Sequence, residues 1–368
     1  MRIVLLSKAL VVGAYQKKCE ELAALPGIDL TVIVPQCWRE PRVGEQHLER
    51  RFTNGYRLEA LPLGLNGRHH EHFYWGLGRL LRSIRPEVFH IDEESFNFAT
   101  YQAMRLGVAL GARCCFYNYA NIDRFYPPPF GWFEQYSFRH AVHGLAANQE
   151  AQAIIRRHGY QGPITIIPQV GVDPDLFIPA AQPRPSEAVT IGYVGRLVPE
   201  KGLLDLLDAM ALLPASIHLR VIGDGTQRAA LQARADELGL AARIEWCAWV
   251  SDVPAELRNL DILVLPSRTT RTWKEQFGRI LVEAMACGVA VVGSSSGEIP
   301  HVIADAGLTF PEGDAIALAR RLRLLADQPA LRAEYGRRGR ARVLANYTQA
   351  ALAKRYADVY QSMGHHQG

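Results

Sequence analysis

The chain has 368 residues, 48% of them hydrophobic and 21% charged, with a formal net charge of +4. That length is too great for one ordinary core and comfortable for two domains. The small net charge argues against a nucleic-acid binder whose affinity rests on a phosphate-tracking surface, while leaving room for a local basic patch that meets acidic lipid or a phosphorylated ligand.

The N-terminal stretch MRIVLLSKAL is too short in its apolar part for a signal peptide and reads as a first β-strand. RIVLL (2–6) is followed by the helical pattern AYQKKCEELAAL, then by LTVIVP (30–35), EVFHID (87–92), the helical SFNFATYQAMRLG, RCCFYN (113–118) and HGLAAN (143–148). Short β-branched runs alternating with helical stretches are the grammar of parallel βαβ units. At 179–187 the pattern breaks into PAAQPRPSE, a linker composition. The same grammar then restarts with VTIGYVG (189–195), LLDLLDAMALL, HLRVIGDG (218–225), RIEWCAWV (243–250), DILVLPS (261–267) and GVAVVGS (288–294). We therefore expect an α/β protein of two doubly wound domains, 1–178 and 188–346, with a ligand between them at the C-terminal strand ends. A last helical pattern (347–363) is expected to return to the first domain. The six cysteines, Cys19, Cys37, Cys114, Cys115, Cys247 and Cys287, show no C-x-x-C pair, which suits a reducing compartment. No apolar run approaches the roughly 18 residues of a membrane span.

The stretch EQFGRILVEAMACG (275–288) carries the chemistry. A helix can open at Gly278 and stop at Gly288, a glycine at the C′ position. Its first-turn amides, from Phe277 through Gly278 and Arg279 to Ile280, are unpaired within the helix and can hold a phosphate. Glu275 lies just before that turn, and Glu283 lies about 7–8 Å further along the axis. Two carboxylates at that separation can grip hydroxyl pairs on either side of a diphosphate; equally, Glu283 can be a partly exposed helical residue and Glu275 a loop charge. In GYVGRLVPEKG (192–202), Arg196 and Lys201 flank a strand end, where they either stabilise a diphosphate leaving group or are surface cations. VIGDG (221–225) is a third strand-to-turn, with Gly223 at the bend, and it departs from a dinucleotide G-x-G-x-x-G pattern.

With GRLVPEKG (195–202), VIGDG (221–225), LPS (265–267), EQFGRILVEAMACGVAVVGSSSGEIPHVI (275–303) and IPQVGVDPDLF (167–177), the chain resembles retaining nucleotide-sugar glycosyltransferases of the GT-B type, family four, over nearly its whole length. That resemblance implies a GT-B fold, two Rossmann-like domains facing across a cleft. It implies that Glu283 accepts from the ribose hydroxyls and Glu275 from hydroxyls of the transferred sugar. Arg196 and Lys201 would neutralise the diphosphate, with the amides around Gly278, Arg279 and Ile280 cradling it. The strand end at Ala248–Val250 would meet the base, and Gly13 would let the first βα loop approach the donor phosphates. The donor would be UDP- or GDP-linked, with no metal and no further cofactor.

The acceptor side departs from the family. VVGAY (11–15) stands where many relatives have a Gly-Gly pair, with Lys8 and Lys17 nearby either adding charge or solvated. The usual active-site histidine after the fourth strand is missing from FYNYANIDRFYPPPF (116–130), which offers Asn118, Asn121 and Arg124 instead. The run Asp92-Glu93-Glu94 reads as acceptor contacts or a solvated loop, with Glu94 the candidate. FGWFEQYSFRH (130–140) lines the core, an acceptor or a membrane surface, and GRHHEHF, with His69, His70 and His72, reads as a solvated loop rather than a metal site. The expected function is transfer of a hexose from a nucleotide diphospho-sugar to a glycan or lipid-linked acceptor in bacterial surface polysaccharide or glycolipid assembly. The expected place is the cytoplasm, including the inner face of its membrane. The rivals are an epimerase or hydrolase on the same scaffold and a non-catalytic nucleotide-sugar-binding subunit.

Overall fold

A computed structural model of the protein describes residues 1–40, 44–181 and 188–364. Part of the expected linker, 182–187, lies outside the described residues. The chain divides into two compact units: Met1–Gly171 joined by the segment that begins at Gln349, and Val172–Thr348.

The first unit opens with β1 (Arg2–Leu6), two 3-10 turns, α1 (Lys17–Ala23) and β2 (Asp29–Pro35). The hairpin of β3 (Cys37–Glu40) and β4 (Gly44–His47), β5 (Arg57–Leu61), and the short pair β6 (Leu63–Gly64) and β7 (Phe73–Tyr74) follow. Then come α2 (Leu77–Ile84), β8 (Val88–Ile91), α3 (Phe98–Ala109), β9 (Arg113–Asn118), α4 (Phe130–His140), β10 (His143–Ala146), α5 (Gln149–Arg157) and β11 (Ile164–Ile166). Seven of these strands form one sheet in the order β11-β10-β9-β8-β1-β2-β5, with every pairing parallel. Because parallel sheets are covered on both faces, β1 and β8 read as continuous apolar runs, and Ile3, Val4, Leu6, Val88, Phe89 and Ile91 are fully buried.

The second unit contains β12 (Val189–Val194), α6 (Leu203–Ala211), β13 (Ile217–Ile222), α7 (Arg228–Glu237), β14 (Ile244–Cys247), α8 (Val253–Arg258) and β15 (Ile262–Leu265). It continues with α9 (Arg279–Ala286), β16 (Ala290–Ser294), α10 (Ile299–Ile303), β17 (Leu308–Phe310), α11 (Ala315–Asp327) and α12 (Pro329–Asn346). Its sheet runs β14-β13-β12-β15-β16-β17, again all parallel. Both units are thus Rossmann-like and doubly wound, and in each the strand order reverses beside its first strand: between β1 and β8, and between β12 and β15. Loops leaving the sheet on either side of such a reversal diverge and open a crevice.

Several boundaries differ from expectation. The first unit ends at Gly171, because Val172 and Phe177 are buried in the second unit's core, where the Val172 amide donates to the Tyr347 carbonyl and the Phe177 carbonyl accepts from Arg340. The first helix starts at Lys17 and not at Ala14, since Gly13–Tyr15 turns as a 3-10 segment. The strand expected to reach Val250 ends at Cys247.

α13 (Gln349–Gly364) closes the first unit against α1. It buries Leu352, Tyr356, Tyr360 and Met363 in the same core as Leu5, Val32 and Leu145. The Tyr360 hydroxyl lies 2.7 Å from Nδ1 of the fully buried His90, whose pKa burial lowers to about 4, so the ring stays neutral. Tyr360→Phe leaves that nitrogen without a partner and is expected to cost about 1–3 kcal/mol, measured as a shift in urea midpoint at constant slope; an unchanged midpoint refutes the docking contact.

Candidate functional site

Glu275 and Glu283 are both buried, which rules out the reading of one as a partly exposed helical residue and the other as a loop charge. Glu275 sits in the loop between β15 and α9, and its Oε2 accepts from Lys201 Nζ at 2.6 Å and from Ser267 Oγ at 2.9 Å. Lys201 comes from the loop after β12 and Ser267 from the end of β15, so the pair forms at the strand reversal. The Lys201 ammonium also lies 4.8 Å from the centre of the Trp273 ring. A charge moved out of water is tolerated only when paired and hydrogen-bonded, and Lys201 supplies that for Glu275. Ser267, inside the LPS motif, and Trp273 carry no role in the sequence reading, because their contacts with Glu275 and Lys201 respectively form only in the fold.

Gly278 sits at the N-cap of α9 in the left-handed region, φ 77°, which glycine adopts without strain. The amides of Phe277, Gly278, Arg279 and Ile280 donate to no group among the described residues. Glu283 faces back along the helix, where Arg279 Nε donates to its Oε1 at 2.7 Å. Burial raises the pKa of Glu283, and Arg279 partly offsets the shift. Gly288 ends the helix at φ 72°, as expected. Arg196 is half exposed, with Glu200 at 4.0 Å, and its backbone carbonyl is held by the Tyr193 hydroxyl at 2.8 Å. At Gly223 a Cβ would lie 1.9 Å from the Gly195 carbonyl, so this glycine is required for two strand ends to approach. Val250 is partly buried in the irregular segment after β14, next to exposed Trp249.

The first unit corrects several expectations. Gly13 does not offer an open amide: it donates to Glu49 Oε2 at 2.9 Å, and a Cβ there would meet Glu49 and Arg51 at 2.7 and 2.8 Å. Asp92, Glu93 and Glu94 are fully buried rather than solvated. They follow β8 beside the strand reversal, and each is met by a partner from another element. Ser7 Oγ donates to Asp92 at 2.7 Å, with Lys18 at 3.9 Å. Lys8, instead of being solvated, is ion-paired with Glu93, and His72 Nε2 lies 3.6 Å from the same carboxylate. Burial pushes the Glu93 pKa up, but Lys8 and His72 more than offset it and hold it at about 2. His72 is therefore core, not solvated loop; His70 meets Asn97 Oδ1 at 2.9 Å, and His69 lies 5.1 Å from the Trp38 ring. No group of three or more His, Cys, Asp or Glu side chains is placed to hold a metal ion among the described residues.

The acceptor candidates divide. Asn118 is buried and clamps Ser95, accepting from its amide at 2.8 Å and donating to its hydroxyl at 2.9 Å. Asn121 is buried, whereas Arg124 is exposed. A relay that sequence reading missed fixes the loop between them and α4: Ser95 Oγ donates to Glu134 Oε1 at 3.4 Å, Glu134 meets His158 Nδ1, and His158 Nε2 lies 2.9 Å from Asp123. Burial lowers the His158 pKa, but the Asp123 and Glu134 carboxylates raise it by more. The segment 130–140 serves two surfaces: Phe138 is core, while Trp132 is 68% exposed beside a loop whose Phe125 is 88% exposed.

Two family models match the chain: "Glycosyltransferase Family 4" over residues 17–176 and "Glycosyl transferases group 1" over residues 176–342. The chain is similar to the lipopolysaccharide core biosynthesis glycosyltransferase LpsE of Rhizobium meliloti, 28% identical over 48% of this chain and 51% of that protein. It is 30% identical to the phosphatidyl-myo-inositol mannosyltransferase of Mycobacterium leprae over 63% of this chain and 61% of that one. The matches thus span about half to three fifths of these relatives' lengths. Among solved structures, Anabaena HepE in complex with UDP superposes with a TM-score of 0.72 at 16% identity, covering 98% of this chain and 100% of that one, a likeness of fold.

Glu94 provides a pH test of the first unit. Its Oε1 accepts from the Tyr119 and Ala120 amides at 3.1 and 2.8 Å, and its Oε2 has no hydrogen-bond partner among the described residues. Burial raises its pKa from the ordinary 4.5 to about 8, despite those amides and Lys8. With the folded value raised, the linked stability is full below about 4.5 and is lost as the pH rises through about 8. Glu94→Gln removes that loss, so its Tm relative to the parent is expected to climb from pH 5 to pH 8; parallel Tm profiles would mean that Glu94 folds ionised.

Proposed function

The chain belongs to family four of the GT-B glycosyltransferases, and from that premise we propose that it transfers a hexose, with retention of anomeric configuration, from a nucleotide diphospho-sugar to a glycan or lipid-linked acceptor. The setting we propose is surface polysaccharide or glycolipid assembly in a bacterium, at the cytoplasmic membrane face. The observation that carries this reading is the pair of buried carboxylates on either side of a turn whose amides are open. Buried acids beside unsatisfied donors suit a ligand that alternates hydroxyls with negative charge.

In this reading the donor diphosphate lies on the amides of Phe277 to Ile280, with Arg196 supplying further positive charge. Glu283 accepts from the ribose hydroxyls and Glu275 from the hydroxyls of the transferred sugar. Lys201 holds the Glu275 carboxylate in place and adds its charge to the leaving group. The bond from the anomeric carbon to the diphosphate oxygen breaks through an oxocarbenium-like transition state. The acceptor oxygen bonds on the same face, and its proton passes to the departing diphosphate. The protein's part is position and electrostatics, with no metal in the step. The donor in this reading is UDP- or GDP-linked. The Mycobacterium leprae relative, named as a phosphatidyl-myo-inositol mannosyltransferase, and LpsE, named for lipopolysaccharide core biosynthesis, support a lipid-linked acceptor. Exposed Phe125 and Trp132 beside Arg124 give the first unit an aromatic, basic face suited to a membrane interface.

A thermal-shift screen of UDP, GDP, dTDP and ADP sugars, followed by transfer assays with and without acceptor, tests the reading; product that forms equally without acceptor points to an epimerase or hydrolase. Glu283→Ala should weaken nucleotide binding by roughly 10- to 100-fold, since a hydrogen bond to a charged group contributes about 1.5–3 kcal/mol; unchanged affinity removes the ribose role. Glu275→Gln should lower kcat by more than it lowers nucleotide affinity, and a parallel fall in both overturns the sugar assignment.

A further inference from the structure

A cavity of about 580 Å³ lies in the second unit at the opposite ends of the strands from Glu275, one turn of α9 beyond Glu283. Asp261 and Ala290, at the N-terminal ends of β15 and β16, form part of its wall, together with Cys287 and Gly288 after α9, residues of α12 from Pro329 to Arg340, and Pro179 and Ala180. Four arginines line it, Arg258, Arg332, Arg337 and Arg340, and Asp261 is the one acidic residue among its lining residues. Arg332 lies 3.5 Å from Asp261. Arg340 donates to the carbonyls of Phe177 and Ala286, which are uncharged acceptors. Arg258 and Arg337 make no ion pair or side-chain hydrogen bond among the described residues. Burial pushes the pKa of the Cys287 thiol in this wall up to about 11; Arg258 and Arg340 lower it, and the Glu283 carboxylate raises it.

Three guanidiniums around one concavity are therefore without an ion-pair partner among the described residues. Like charges gathered this way repel one another, and the concave wall focuses their field. A guanidinium presents a planar fork of donors that matches phosphate oxygens two at a time. Leu260 and Val289 add an apolar floor, and the volume falls in the roughly 300–1,000 Å³ range of small-molecule sites. We infer that this cavity binds a phosphate-bearing ligand, the phosphate on Arg258, Arg337 and Arg340 and the body of the ligand on the apolar floor. The inference is independent of the transfer reading. It gives the chain a second anion site whose wall is the C-terminal end of the helix that carries Glu283.

The phosphate can belong to a soluble sugar phosphate or to a phospholipid headgroup, and the test has an arm for each. Calorimetric titration of the full chain with a hexose 6-phosphate is compared for the parent, Arg258→Gln/Arg337→Gln and Glu283→Ala. Cosedimentation with vesicles of phosphatidylcholine containing phosphatidic acid is run on the same proteins. The inference predicts saturable binding in at least one arm, weakened at least 10-fold in the double arginine variant and kept in Glu283→Ala. Binding to the sugar phosphate identifies the soluble source, and binding to vesicles alone the headgroup. Equal binding by the parent and the double variant, or no saturable binding in either arm, overturns it. Should the double variant fail to reach the parent's Tm, the exposed Arg337→Gln alone carries the comparison, with the same outcomes.

Discussion

Lys201 and Glu275 are 74 residues apart in sequence and 2.6 Å apart in space. Neither charge tolerates the protein interior alone, because the loss of hydration exceeds what a lone buried ion recovers. Their meeting depends on topology: Lys201 follows β12, Glu275 follows β15, and these neighbouring strands send their chains to opposite faces of the sheet. The pair fixes the loop before α9, and so fixes where the first turn of α9 presents its amides. Trp273 stands near the ammonium, and Ser267 ties the carboxylate to the end of β15. The result is a carboxylate held in one orientation before any ligand arrives, the condition under which electrostatic stabilisation needs no rearrangement during a reaction.

The first unit has the same layout and uses its strand reversal differently. There the crevice between the loops after β1 and β8 is filled by compensated charges, Lys8 with Glu93 and His72, and Lys18 with Asp92 and Ser7. The Lys8–Glu93 pair in particular fixes the two loops, because removing either partner strands the other's buried charge. The loop after β9 lies outside these pairs. That loop is anchored at one end by Asn118 on Ser95 and in its middle by Asp123 on His158, while Phe125 stands in solvent. The scaffold of the first unit is thus separated from an exposed loop, the kind of segment that tolerates change.

Much of this was legible in the sequence. Both sheets follow from β-branched runs alternating with helical periods, and RIVLL and RCCFYN match their strands residue for residue. The carboxylate pair was legible because its spacing is local to one helix and its flanking glycines mark where that helix starts and stops. What failed to show was mostly non-local. A lysine at 8 reads as added charge or as solvated until the fold brings Glu93 to it, and the histidines at 69–72 read as a solvated loop until Trp38 and Glu93 meet His69 and His72. Gly13 matched a family pattern by position, but the pattern cannot reveal that Glu49 occupies its amide. The strand after residue 243 was overextended because WCAWV is apolar enough to pair, and the ladder with β13 ends at Cys247.

The placement of α13 governs the order of events during synthesis. Its apolar face contributes Leu352, Tyr356, Tyr360 and Met363 to the core that holds β1 and β2, yet the whole of the second unit separates it from them along the chain. On the ribosome, the earlier unit therefore emerges with that face of its sheet covered only in part, by α1, and waits until roughly another 180 residues have been translated, at about 5–20 residues per second. For that interval of some ten to forty seconds the nascent chain exposes the apolar surface that α13 later covers.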